Sequence, residues 1–235
     1  MKSLLVNTII LALVGIISTG LGGVISALFK IKNKNTLARV YEITAGLMTG
    51  IVCFSMLKES YELSGVFVSV VGVLIGVFIV FILDSIIEST KVVSKENVMP
   101  ISVVLAMALH NIVEGLAIGT SFFISQNVGI SMLVAIAIHN IPEGMVVGIL
   151  NRKNSIRPIL FSSLVGAFLG VGGLIGSILG SISNFTISIC LSIASGAMLY
   201  IVACDLIPQS KVIIINKKNS IMYILGIILG LILSV

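Results

Sequence analysis

Charge is what this sequence has least of. Only 10% of its 235 residues are Asp, Glu, Lys or Arg, against 57% hydrophobic. A soluble domain could not cover itself in water with so little polar surface. Cysteine is scarce too. Cys53, Cys190 and Cys204 are odd in number and all fall inside apolar stretches, so they provide no disulfide framework and say little about redox compartment. No linker or low-complexity tract interrupts the chain, which leaves one domain over residues 1–235 as the simplest organisation. Strict alternation of apolar and polar residues is also missing. That argues against a membrane barrel, whose strands alternate over about ten positions.

What the chain does have is long apolar runs. A helix needs about 20 apolar residues to cross the hydrocarbon core, and that length recurs near 3–29, 37–57, 64–90, 98–124, 127–150, 156–181, 184–209 and 220–235. The expected fold is all-α and integral to the membrane, with eight transmembrane helices and lipid as the surrounding partner. The run that begins at Met1-Lys2 is too long for a signal peptide and lacks a small-residue cleavage site, so it reads as a retained first helix. The formal charge of +5 does not call for nucleic acid, because the basic residues are sorted by loop. Lys30, Lys32, Lys34, Arg39, Lys91, Lys95, Arg152, Lys153, Arg157, Lys211, Lys217 and Lys218 share one side, and only Lys2 and Lys58 take the other. By the positive-inside rule, both termini of this multi-pass chain face outside the cell membrane.

Small residues are spaced four apart at Gly46 and Gly50, Gly72 and Gly76, Gly166 and Gly170, Gly172, Gly176 and Gly180, and Gly226 and Gly230. Such spacing lets helix backbones approach closely in lipid. Packing within one bundle is the expected use, and a homodimer interface is the alternative. Spans four and five also repeat one another. Ala106, Ala108, His110, Asn111, Ile112, Glu114, Gly115 and Gly119 recur as Ala135, Ala137, His139, Asn140, Ile141, Glu143, Gly144 and Gly148. Consecutive spans run in opposite directions, so two copies at similar depth imply an inverted repeat about a pseudo-two-fold axis in the membrane plane. Transporters place substrate sites at such axes.

The only two histidines, His110 and His139, lie near the middle of their spans, and each has a Glu four residues later on the same helical face. An ionised group at that depth costs at least about 2.5 to 3.5 kcal/mol, so it needs a partner, a proton or a hydrated cavity. Imidazole nitrogen with carboxylate oxygen is a ligand set suited to zinc and neighbouring divalent metals. Asn111 and Asn140 add carbonyl oxygens. Glu114 and Glu143 together would balance one divalent cation, which places the expected metal site between helices four and five. Pro142 cannot donate a backbone hydrogen bond, so it should bend its helix and free the carbonyl of Ile138.

His-Asn-Ile-Val-Glu-Gly at 110–115, followed by His-Asn-Ile-Pro-Glu-Gly at 139–144, closely resembles the ZIP (Zrt/Irt-like) family of metal transporters, in its bacterial branch. Ala45-Gly46-Leu47-Met48 and the stretch from Ser195-Gly196-Ala197-Met198 to Asp205-Leu206-Ile207-Pro208 fit as well. The resemblance implies transport of a divalent metal into the cytoplasm, with the metal as cargo and no cofactor or enzymatic activity. It also implies a binuclear site, with His110, Asn111, Glu114, Asn140 and Glu143 as ligands and His139 beside them. Met48 matches a position that can contribute a thioether, and Cys204 and Asp205 match an auxiliary site near the cytoplasmic exit. One departure is on span six, where relatives commonly carry a Glu and this chain reads Ser163-Leu164-Val165-Gly166-Ala167. A second is on span two, where Lys58-Glu59 stand in place of the usual proline.

Zinc is the first candidate among zinc, iron, manganese and cadmium, whose ligand preferences overlap. A proton channel or proton-coupled carrier, with the His/Glu pairs as a relay, is the main rival. A metal-dependent intramembrane enzyme is a further one, although the His-Glu-x-x-His arrangement of membrane zinc proteases is missing. Asp84 and Glu88 on span three could line the exit, accept protons, or pair with Lys91 at the interface.

Overall fold

A backbone surrounded by lipid has to satisfy its own hydrogen bonds, so apolar runs of this length fold as helices. The computed structural model describes residues 2–29, 34–89, 101–150, 156–214 and 216–234. Among these residues the regular structure is entirely helical. The helices are α1 (Lys2–Phe29), α2 (Lys34–Ile51), α3 (Leu57–Ser89), α4 (Ile101–Ser121), α5 (Gln126–Leu150), α6 (Arg157–Gly180), α7 (Asn184–Ile201), α8 (Ile207–Ile213) and α9 (Lys217–Leu233). Their starts carry the usual signals. Ser183 caps α7 by accepting from the Thr186 amide at 3.1 Å, Asn216 caps α9 through the Lys218 amide at 3.0 Å, and Pro158 stands in the first turn of α6.

Five helical stretches among the described residues are long and apolar enough to cross a membrane: Val6–Leu28, Lys34–Ile86, Gln126–Ile149, Arg157–Gly180 and Asn184–Ile213. Their outward faces are apolar, as at Ile17, Phe67, Leu74, Phe78 and Leu164. Polar side chains including His110, Asn111, Glu114, His139, Asn140 and Glu143 are buried inside. This distribution suits lipid outside and a polar interior.

The structure differs from the sequence expectation in the second and third spans. α2 does not end near residue 57 but continues through a π-helical turn, Val52–Met56, into α3. The reversal comes at Gly65, whose φ of 79° and ψ of 172° fall where a side chain is disfavoured. Ser60 and Ser69 lie on either side, and their hydroxyls are 2.9 Å apart. In an uninterrupted helix nine residues span about 13 Å, so the chain folds back here. A second π-helical turn, Val202–Leu206, joins α7 to α8.

These two regions correspond at a constant offset of 150 residues. Gly46, Met48, Ile51 and Val52 recur as Gly196, Met198, Ile201 and Val202, and the π-helical turns begin at Val52 and Val202. Downstream of each turn a serine ties the helix to a neighbour: Ser60 donates to the Ser188 carbonyl at 3.0 Å, and Ser210 to the Ala38 carbonyl at 3.3 Å.

α4 packs on α6 and α5 packs on α1, while α1 and α6 pack on each other. α2 lies against α9, and α3 against α7. The glycine stripes are taken up at these crossings. A Cβ on Gly115 would overlap the Leu169 carbonyl, and one on Gly144 would overlap the Thr19 carbonyl. Gly46 faces Tyr223, Gly76 faces Ile193, Gly166 faces Gly15, Gly176 faces Leu116 and Gly230 faces Leu47, so every stripe serves packing inside this chain.

Candidate metal centre

α4 and α5 turn their two motifs toward each other, and the spacing of four residues sets each His and Glu on one face. His110, Glu114, His139 and Glu143 are all buried, none more than 3% exposed. One ligand atom from each lies within 4.8 Å of all the others. The Glu114 Oε1 atom is the hub. It is 2.7 Å from His110 Nε2 on its own helix and 2.5 Å from His139 Nε2 on the facing one. Glu143 Oε1 is held more loosely, 3.7 Å from His110 Nε2 and 3.5 Å from the amide nitrogen of Asn111.

The asparagines complete the shell. Asn111 donates to the Met107 carbonyl at 3.0 Å. Asn140, with its amide nitrogen turned toward the cluster, donates to Glu114 Oε2 at 3.1 Å and to the Ile136 carbonyl at 3.1 Å. The Nδ1 atoms of both histidines and the Oδ1 atom of Asn111 are buried with no hydrogen-bond partner among the described residues. A neutral histidine that carries its hydrogen on Nδ1 offers Nε2 as a lone-pair donor. Two imidazole nitrogens, two carboxylates and an amide oxygen form a donor set that fits zinc and its divalent neighbours.

All six motif residues named from the sequence come together between α4 and α5. The remaining candidates lie on other elements. Met48 is fully buried in the apolar core of α2. Cys204 and Asp205 lie on the π-helical turn after α7, with Cys204 exposed. Asp205 is not one of the four clustered groups. Asp84 accepts from the Tyr200 hydroxyl at 3.0 Å, while Lys91 and the Glu88 side chain lie outside the described residues. α5 stays helical through Pro142. Lys58-Glu59 open α3, where Glu59 is partly exposed.

One ionic cluster around a buried acid was missed by the sequence reading. Glu42 on α2, 2% exposed, accepts from Lys211 Nζ at 2.5 Å and from the Ser210 hydroxyl at 2.9 Å. Lys211 also donates to Ser220 at 2.7 Å, and Arg39 donates to Asn219 at 3.1 Å. The available signal was an acid eight residues into α2, which had to find a partner at that depth.

Comparison with known proteins finds relatives of this chain. A family model described as ZIP Zinc transporter matches residues 87–235. The chain is 36% identical over 135 residues to the zinc transporter GufA of Myxococcus xanthus, an alignment covering 56% of this chain and 53% of that protein. It is 28% identical over 112 residues to the human zinc transporter ZIP4, covering 47% of this chain and 17% of that one. The chain thus spans about half the length of the bacterial relative and a much smaller part of the human one.

Proposed function

Because the chain belongs to the ZIP family, we propose that it carries a divalent transition-metal ion, zinc first and then iron, manganese or cadmium, across the cell membrane into the cytoplasm. The observation that carries this reading is the four-residue cluster of His110, Glu114, His139 and Glu143, closed off between two facing helices. The metal is cargo, held by side chains that can exchange it. When no ion is bound, Glu114 occupies the two imidazoles. An incoming cation takes the Nε2 lone pairs and the Glu114 oxygen, and draws in the loosely held Glu143. Asn111 and Asn140 orient the carboxylates and add an oxygen.

The wider architecture follows the same reading. Eight spans are supported by the five long apolar stretches, the reversal at Gly65 that divides the 53-residue one, and the additional helices α4 and α9. An inverted repeat is supported by the matched motifs of α4 and α5, the matched π-helical turns, and the parallel packing of α4 on α6 and α5 on α1. The distribution of basic residues supports termini on the outside. A homodimer would have to use faces other than the glycine stripes, which are consumed within the bundle.

The experiment is metal uptake into proteoliposomes holding the purified chain, with zinc, iron, manganese and cadmium compared. Zinc uptake is expected, and a Glu114→Gln/Glu143→Gln variant should lose it. The unbroken His110–Glu114–His139 hydrogen-bonded chain favours one rival, a proton relay. Proton flux without uptake of any metal by the folded protein would establish that rival and sink the transport reading.

A further inference from the structure

We propose that this centre holds one metal ion at a time, with no second metal position beside it. The inference rests on the transport reading above and concerns the stoichiometry of the same site. Charge is the first argument. The cluster contains two carboxylates, Glu114 and Glu143, and these neutralise one divalent cation. A second cation would leave two uncompensated positive charges in a buried site, where unpaired charge is most costly.

The neighbouring helices add no third carboxylate to the cluster. α6 packs against both α4 and α5, and its buried face presents Ser162, Val165, Gly166, Leu169 and Gly172, none of them ionisable. The Ser162 hydroxyl is already committed to the Gly144 carbonyl at 2.9 Å. α1, behind α5, carries no acid anywhere in its length. Glu42 on α2 is engaged by Lys211 and Ser210. After Glu143 the next acid in the sequence is Asp205, which stands outside the cluster on its π-helical turn.

Geometry is the second argument. The four ligand atoms lie within 4.8 Å of one another, a cage that contracts modestly to reach the 2.0–2.2 Å ligand distances of zinc. Two ions would need donors beyond these four, and α6, which meets α4 at Ile112, Gly115, Leu116 and Gly119, brings no acid.

The test is the zinc content of the purified full-length chain after equilibrium dialysis against zinc, together with zinc X-ray absorption. One zinc per chain is expected, with a shell of nitrogen and oxygen only and no metal neighbour at the about 3.5–4 Å typical of paired ions. The Glu114→Gln/Glu143→Gln variant should hold none. Two zincs per chain, or a metal–metal neighbour in the spectrum, would overturn the inference while leaving transport intact if uptake persists. A single zinc retained by the double variant would also overturn it, because the ion would then lie elsewhere. A folded chain that neither binds nor moves metal would instead refute the transport reading. Should the variant aggregate, the wild-type ratio and spectrum decide alone.

Discussion

The two motif copies are nearly the same in sequence and differ in what they do. On α4, His110 and Glu114 pair with each other at 2.7 Å. On α5, His139 reaches across to Glu114 instead, and Glu143 is met only at 3.5 Å by Asn111 and at 3.7 Å by His110. One carboxylate has become the hub of the closed cluster, and the other remains a loosely held arm. Equal spacing along two helices therefore does not produce equal roles, because two facing helices cannot both present their acid to the same point.

The largest effect that would break this comparison is in the acids themselves. Glu114→Gln should weaken zinc binding about 100-fold, or about 2.8 kcal/mol at 1.4 kcal/mol per decade, and Glu143→Gln about tenfold. Zinc titration of the two purified variants checks the order, and a reversed order would make Glu143 the hub. Next come the glycines that follow the two acids. Gly115→Ala and Gly144→Ala each push a methyl group into a backbone carbonyl, of Leu169 and Thr19 respectively. Similar losses of about 1–3 kcal/mol are expected in thermal or denaturant unfolding. Unequal losses would extend the asymmetry from the site to its packing. The smallest effect concerns the other matched pair, Met48 and Met198, both fully buried. Met48→Leu and Met198→Leu should each cost less than about 1.5 kcal/mol and leave zinc uptake unchanged. Loss of uptake in the Met48 variant alone would give its thioether a place on the ion's path.

The clustering of the motif residues was the most legible feature of this chain. Both histidines and two of nine acids stand in one repeated motif at apolar depth, and the structure brings those residues together. Most helix limits followed from the apolar runs, such as 127–150 against Gln126–Leu150 and 156–181 against Arg157–Gly180. The reversal between the second and third spans was placed too early. Lys58, Glu59 and Glu62 look like a loop in composition, yet they are helical, and the turn waits for Gly65, which adopts a positive φ. Neither π-helical turn has a compositional mark, since an extra residue in a turn leaves an apolar run apolar. The Glu42–Lys211 pair joins residues 169 positions apart, a contact that only the packing of α2 on α8 creates.

The π-helical turns have a consequence for phase. Each admits an additional residue into the winding, and one residue of an α-helix corresponds to about 100° of rotation. Everything downstream of Val202–Leu206 is therefore clocked to a different azimuth from the α7 residues before it. Ser210 and Lys211 meet Glu42 at that azimuth, as Ser60 meets Ser188 after Val52–Met56. Shortening either turn by one residue would leave the composition and hydropathy of the span almost untouched. It would swing the downstream hydroxyl more than a quarter turn from its carbonyl, and at Val202–Leu206 would strand the buried Glu42 carboxylate without its cation.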